Sequence, residues 1–219
     1  MDGRMDTFTL IGSVMIAILA ITTHEAAHAW VADRLGDPTA RLRGRVTLNP
    51  VPHIDPIMTI GLPALLLAMG SPFIFGGARP VPVDMRYFKN PKRDFALVAI
   101  AGPLSNLIQA MLWAGLLSIL LHTEVWPDPE SRGVQVLVMG IFINVLLAIF
   151  NLIPLPPLDG SRIVMYFLRG EALRSYVQLE RFGLFLILAL VFYVDGFGVA
   201  MRSVIMEVVG FIEQLAMLS

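Results

Sequence analysis

"FTLIGSVMIAILAITTHEAAHAWVA", residues 8–32, carries no charge up to Thr23 and then places two histidines and a glutamate in its last third. A run of this length exceeds the roughly 20 residues of helix that cross about 30 Å of hydrocarbon, so it predicts a transmembrane helix. Ionisable side chains at the end of such a helix are expensive unless a metal, a partner or a polar cavity satisfies them. On an α-helix residues four apart stack one turn above each other. His24 and His28 therefore project from one face and can chelate one cation, with Glu25 about 100° round the axis beside them. This is the H-E-x-x-H arrangement, in which two imidazoles hold Zn²⁺ and the glutamate acts as general base. The plainer alternative is a helix end whose His and Glu meet lipid headgroups.

The surrounding composition favours a membrane setting. Of 219 residues, 56% are hydrophobic and 15% charged, and a mean hydropathy of +0.73 is too high for a soluble domain of this length. The net charge of -1 offers no polybasic signature of nucleic-acid binding. The absence of cysteine excludes disulfides and thiolate ligands, leaving His, Asp and Glu to build a metal site. The first apolar run lacks an Ala-x-Ala cleavage signature and belongs to the mature protein rather than to a signal peptide. With no internal repeat or linker, residues 1–219 are expected to form one domain, with a core at 8–165 and C-terminal helices at 180–219.

Four further apolar runs follow. Ile57–Phe75 is interrupted by Gly61, Pro63, Gly70, Ser71 and Pro72; Phe95–Leu121 and Val134–Leu158 are uncharged throughout; Phe182–Met201 contains Asp195 near its end. Val204–Leu218, with Glu207 and Glu213 among apolar residues, predicts an amphipathic helix lying on the membrane or on the bundle. "RLRGRVTLNP", 41–50, predicts a short strand or hairpin. The fold class is thus an all-α polytopic membrane protein of four to five transmembrane helices, plus a re-entrant or β-hairpin-like membrane-associated segment.

A catalytic zinc needs three protein ligands and one open position. His122 lies in a loop beside Glu124, Asp128 and Glu130, as expected of a surface residue. His53, in "NPVPHIDP" (49–56), sits in a Pro-rich turn able to fold back to the site. Asp159, in "NLIPLPPLDG" (151–160), follows a long uncharged segment and three prolines, although Asp-Gly by itself also makes a helix-ending turn. Asp159 is the strongest candidate of the three.

"HEAAH" in an early apolar helix, followed over a hundred residues later by "NLIPLPPLDG", resembles the site-2 protease family of intramembrane zinc metalloproteases. The resemblance extends to "GRVTLNPVPHIDP", "GGARPVPVDMRYFKNPKRD" and "AGPLSN", covering most of residues 10–165. It implies one zinc per chain held by His24, His28 and Asp159, with Glu25 as the catalytic glutamate and Asn151 as a polar group that helps hold the substrate or its oxyanion. Family members often carry a further helix, a PDZ domain or a CBS domain around this core; this sequence is expected to be a short form without them.

Topology supplies an independent expectation. His24–His28 lie near the C-terminal end of the first helix and Asp159 just past the end of the fourth run, so those two helices must point the same way, with one net crossing between them. Phe95–Leu121 supplies that crossing, in which case Ile57–Phe75 enters and returns on one side, although its apolar length alone would also allow a plain spanning helix. Residues 76–93 hold Arg79, Arg86, Lys89, Lys92 and Arg93 against Asp84, whereas 122–134 hold one Arg against three acids. The former is expected to be cytoplasmic, with the active site opening towards that side of the cell membrane. Thr22, Thr23, Asn106, Asn144 and Asn151 are candidates to line a water channel, Asn106 equally, and Asn144 by preference, an interhelical hydrogen bond; Asn106 and His53 are candidate substrate-binding residues. The expected partners are the bilayer and transmembrane substrates, whose helices must be unwound locally before attack, "RVTLNP" being placed to hold the unwound segment by edge pairing. Two other functions use the same residues: a membrane metal-binding or transport protein, and an inactive scaffold that binds membrane segments. A di-iron hydroxylase is excluded, because four histidines cannot supply its boxes.

Overall fold

The computed structural model describes residues 6–69, 76–123, 128 and 131–217. Among these residues every regular element is helical. The opening run becomes α1 (Thr7–Arg34), started by Asp6, whose carboxylate accepts hydrogen bonds from the N–H groups of Phe8 and Thr9. Those donors have no partner inside the helix, which is why an aspartate there defines its first turn. A single turn, α2 (Thr39–Leu42), and a π-helical turn at 56–61 lead into the short α3 (Leu62–Ala68). The long α4 (Pro91–His122) begins with proline, whose missing N–H costs nothing at that position. Ser131 caps α5 (Arg132–Asn151). The chain ends with α6 (Asp159–Phe167), α7 (Gly170–Gln178), α8 (Gly183–Tyr193) and α9 (Phe197–Met217).

Among the described residues four helical stretches are long and apolar enough to cross a membrane: α1, α4, α5 and residues 170–193. Apolar side chains face outward along them, as with Met15 on α1, Leu112 on α4 and Phe185 on α8, while Asn106 and Asn144 are fully buried. This arrangement suits a hydrocarbon exterior, where apolar surface is free to face the solvent and polar groups must pair inside.

The register of the three central helices places the site. Arg132 lies 3.7 Å from Asp6, a Cβ at Gly12 would press on Val136, and one at Gly140 would press on Ile16. The N-terminal ends of α1 and α5 are therefore together and the helices run parallel. Between them α4 runs antiparallel, Val98 lying beside His28 and Asn106 beside Ala20. α4 thus starts at the end of the bundle where α1 finishes, and everything between them leaves and returns to that end. Gly77 N–H donates to Met58 O at 3.0 Å, and the Thr59 hydroxyl donates to Gly77 O at 2.6 Å, closing the base of the excursion. This is the return expected of the second apolar run, whose residues 70–75 lie outside the described ones.

Three expectations are corrected. The fourth run ends as a helix at Asn151 rather than Leu158, because Pro154, Pro156 and Pro157 cannot donate to a continuing ladder. The fifth run breaks after Tyr193 and turns through Gly196 at φ 78°, a conformation favouring glycine, before α9 begins. α9 then buries Ile205, Val209 and Ile212 against α4 and α5, so it packs on the bundle. Finally, "RVTLNP" is no strand. Residues 46–48 form consecutive bends, and local side chains take its backbone groups: Thr47 Oγ1 accepts from Asn49 N–H and Asn49 Oδ1 from Val51 N–H. Such local bonds compete with a ladder.

Candidate active site

Two histidines from α1 and one aspartate from the start of α6 meet in the interior. His24 and His28 are 6% and 7% exposed. Their Nε2 atoms are 3.0 Å apart, and Asp159 Oδ2 lies 3.1 Å from the first and 3.2 Å from the second. The rings stand edge to face, at 87°. Asp159 occupies the first position of α6 without capping it, because its carboxylate is turned towards the imidazoles. Gly160 makes this approach possible, since a Cβ there would run into the carbonyls of Leu152 and Ile153.

The hydrogen-bond network decides what these atoms offer. His28 Nδ1 lies 2.7 Å from Val98 O, which can only accept, so Nδ1 carries the proton. His24 Nδ1 lies 2.6 Å from Asn106 Oδ1. The amide of Asn106 is oriented by its Nδ2, which donates to Ala20 O at 3.3 Å and to Asn144 Oδ1 at 3.0 Å, so His24 Nδ1 is likewise the donor. Both imidazoles therefore turn bare Nε2 lone pairs on one carboxylate oxygen, and Asp159 Oδ2 is buried without any hydrogen-bond donor. With both imidazoles neutral, three acceptors converging in this way fit around one cation. Adjacent ligand atoms of a tetrahedral zinc site, with bonds of about 2.0–2.1 Å, stand about 3.3 Å apart, close to the 3.0–3.2 Å edges here. A protein-only triangle leaves the fourth position of such a site open. Gly102 of α4 keeps the space clear, for a Cβ there would strike both rings.

Glu25, half-buried one residue along α1, is within electrostatic reach of His28 and of Arg45. Asn151 ends α5 with its Nδ2 donating to Leu147 O at 3.0 Å. Among the described residues His24, His28 and Asp159 form the one group of three able to share a metal.

Comparison with known proteins agrees with this geometry. A protein of Bacillus subtilis (strain 168), YwhC, whose name assigns it to the zinc metalloproteases, is 42% identical over 180 residues, 81% of this chain and 78% of its own length. The chain belongs to peptidase family M50, the site-2 protease family. It is a zinc metalloprotease and an integral membrane protein. Residues 128–194 match the model of peptidase family M50 itself. Rip2 of Mycolicibacterium smegmatis (strain ATCC 700084 / mc(2)155), again named for zinc metalloprotease activity, is 32% identical over 176 residues, 79% of this chain and 63% of that protein. MJ0611 of Methanocaldococcus jannaschii, similarly named, is 31% identical over 102 residues, 47% of this chain and 48% of that protein. The chain thus spans just under two thirds of Rip2. No solved structure matches.

Several polar residues of this M50 peptidase stand elsewhere than their sequence context implies. Asn106 is fully buried behind His24, and Asn144 Oδ1 accepts from its Nδ2, the interhelical hydrogen bond expected of Asn144. Thr22 is buried as well. His53 does not reach the cluster: its Nε2 lies 3.0 Å from Thr47 O and its Nδ1 3.4 Å from Arg45 Nη2, stapling a loop. His122 is exposed and bonded within its own helix end. Two partners had no sequence signal of their own. Val98 contributes a backbone carbonyl, which every residue has, and Arg45 is buried in the segment expected to pair as a strand, donating to Pro80 O at 3.3 Å and to Arg79 O.

Proposed function

We propose that the M50 peptidase is an intramembrane endopeptidase with one zinc per chain, held by His24, His28 and Asp159, and that it hydrolyses peptide bonds in or near transmembrane segments of its substrates. The observation that carries this reading is the triangle of buried, donor-free Nε2, Nε2 and Oδ2 atoms within 3.2 Å of one another, beside a half-buried glutamate and between helices long enough to span. Zinc bound there would polarise the scissile carbonyl and acidify water.

The chain's own residues do the rest. Glu25 removes the proton from the attacking water and returns it to the leaving amine. His24 and His28 keep their Nδ1 protons and so remain ligands throughout. Asn151, at the end of α5, is the group assigned to the substrate backbone or its developing oxyanion. A helical substrate has its carbonyls engaged internally and is unwound locally before it is cut. Residues 8–165 form the catalytic core of a single unit 1–219, buttressed by the C-terminal helices. The positively charged stretch at 76–93 is cytoplasmic and the site opens to that side of the cell membrane. Single cysteines at Asn90 and Ser131, in a chain free of cysteine, should be labelled by an impermeant reagent from opposite sides; labelling from one side rejects this topology.

Glu25→Gln tests the chemistry. It keeps the shape but cannot accept the proton, so zinc content stays near normal while cleavage of a membrane-embedded substrate falls by at least about 10²-fold. Cleavage at the wild-type rate would refute the assignment.

A further inference from the structure

The two histidines differ in what stands behind them. His28 Nδ1 is held by Val98 O, part of the backbone of α4. His24 Nδ1 is held by a side chain, and that side chain is held by another: Asn106 Nδ2 donates to Asn144 Oδ1 at 3.0 Å, and Asn144 Nδ2 donates to Gly140 O at 2.9 Å. All three groups lie in the interior, with both asparagines at 0% exposure. The chain runs from α5 through α4 to α1, anchored on backbone carbonyls at Gly140 and Ala20.

This direction of donation is forced. Asn144 must point its amide nitrogen at Gly140 O, which leaves its oxygen for Asn106; Asn106 must then point nitrogen at Asn144 and Ala20, which leaves oxygen for His24. An imidazole facing an acceptor at Nδ1 carries its proton there and exposes the Nε2 lone pair. Two asparagines buried between membrane helices are costly unless fully bonded, and here every donor and acceptor used has its partner.

We propose that Asn106 and Asn144 are positioning residues for zinc, a three-helix amide relay that fixes the tautomer and ring orientation of His24 and thereby sets metal affinity without touching metal or substrate. The proposal rests on the assignment of His24 as a ligand. Groups behind metal-bound histidines govern affinity by about 10–100-fold.

The test measures zinc binding by chelator competition on the purified full chain in detergent, together with the visible spectrum of the cobalt(II)-substituted protein and the melting temperature of the metal-free form. Asn106→Leu should weaken zinc about 10–100-fold and alter the cobalt spectrum. Asn106→Asp retains an acceptor for Nδ1 and should recover most of the affinity, and Asn144→Leu should fall between wild type and Asn106→Leu. Unchanged zinc affinity in folded Asn106→Leu would overturn the proposal. So would equal loss in Asn106→Asp and Asn106→Leu, or a drop in apo melting temperature with the cobalt spectrum intact, which would mark a purely structural bond. Should His24→Ala bind zinc as tightly as wild type, the ligand assignment itself fails, and that outcome is separate from failure of the relay.

Discussion

The interior of the bundle and the loop shell at 43–53 both bury histidine, yet to opposite ends. His24 and His28 are turned so that Nε2 is left bare, their other nitrogens being occupied by Asn106 and Val98 O. His53, 2% exposed, has both nitrogens used, one towards Thr47 O and the other towards Arg45. A histidine with spare lone pairs facing a carboxylate is a site; one with both nitrogens engaged is a staple. Burial alone does not separate them, and hydrogen-bond accounting does.

Removing a ligand should break this contrast most severely. Asp159→Ala should strip zinc and activity together, as measured by metal analysis of the purified protein, because two imidazoles cannot complete a three-ligand site. The smaller insult is Gly102→Ala. Its methyl would meet His28 Nε2 and Cε1 and His24 Cε1, and overpacking of this kind costs about 1–3 kcal/mol. Relieved by movement of the rings, it should weaken zinc at least about fivefold by chelator competition; undiminished affinity would show that α4 yields instead of the ligands. In the loop shell His53→Ala should leave zinc bound and cost stability only, about 1–3 kcal/mol for an unpaired Thr47 carbonyl and a loosened Arg45. Zinc loss there equal to that of Asp159→Ala would erase the distinction between site and staple.

The family itself is visible in the first 160 residues as HEAAH and LDG, but the strand expected at 41–50 is replaced by the end of α2, a turn and bends, since among the described residues no second strand lies alongside it and Thr47 and Asn49 take backbone N–H groups locally. The amphipathic tail was open between membrane surface and bundle; apolar contacts of Ile205, Val209 and Ile212 with α4 and α5 resolve it in favour of the bundle. Asn106 drew attention as a polar residue in an apolar helix. Its position along α4 carried no information about whether it faced water, substrate or a ligand.

Sequence alone determined what depends on local periodicity and chain length. Hydropathy located α1, α4 and α5, the four-residue spacing put His24 and His28 on one face, and the need for those histidines to meet Asp159 required α1 and α5 to run parallel. Tertiary structure alone decided what depends on contacts between distant residues. His24 meets Asn106 across 82 positions and His28 meets Val98 across 70, and Asp159 reaches both imidazoles from another helix. Those meetings follow from how α1, α4 and α5 pack, with Gly12, Gly102 and Gly140 allowing close approach. A backbone carbonyl such as Val98 O is chemically the same at every position, so only the packing could single it out.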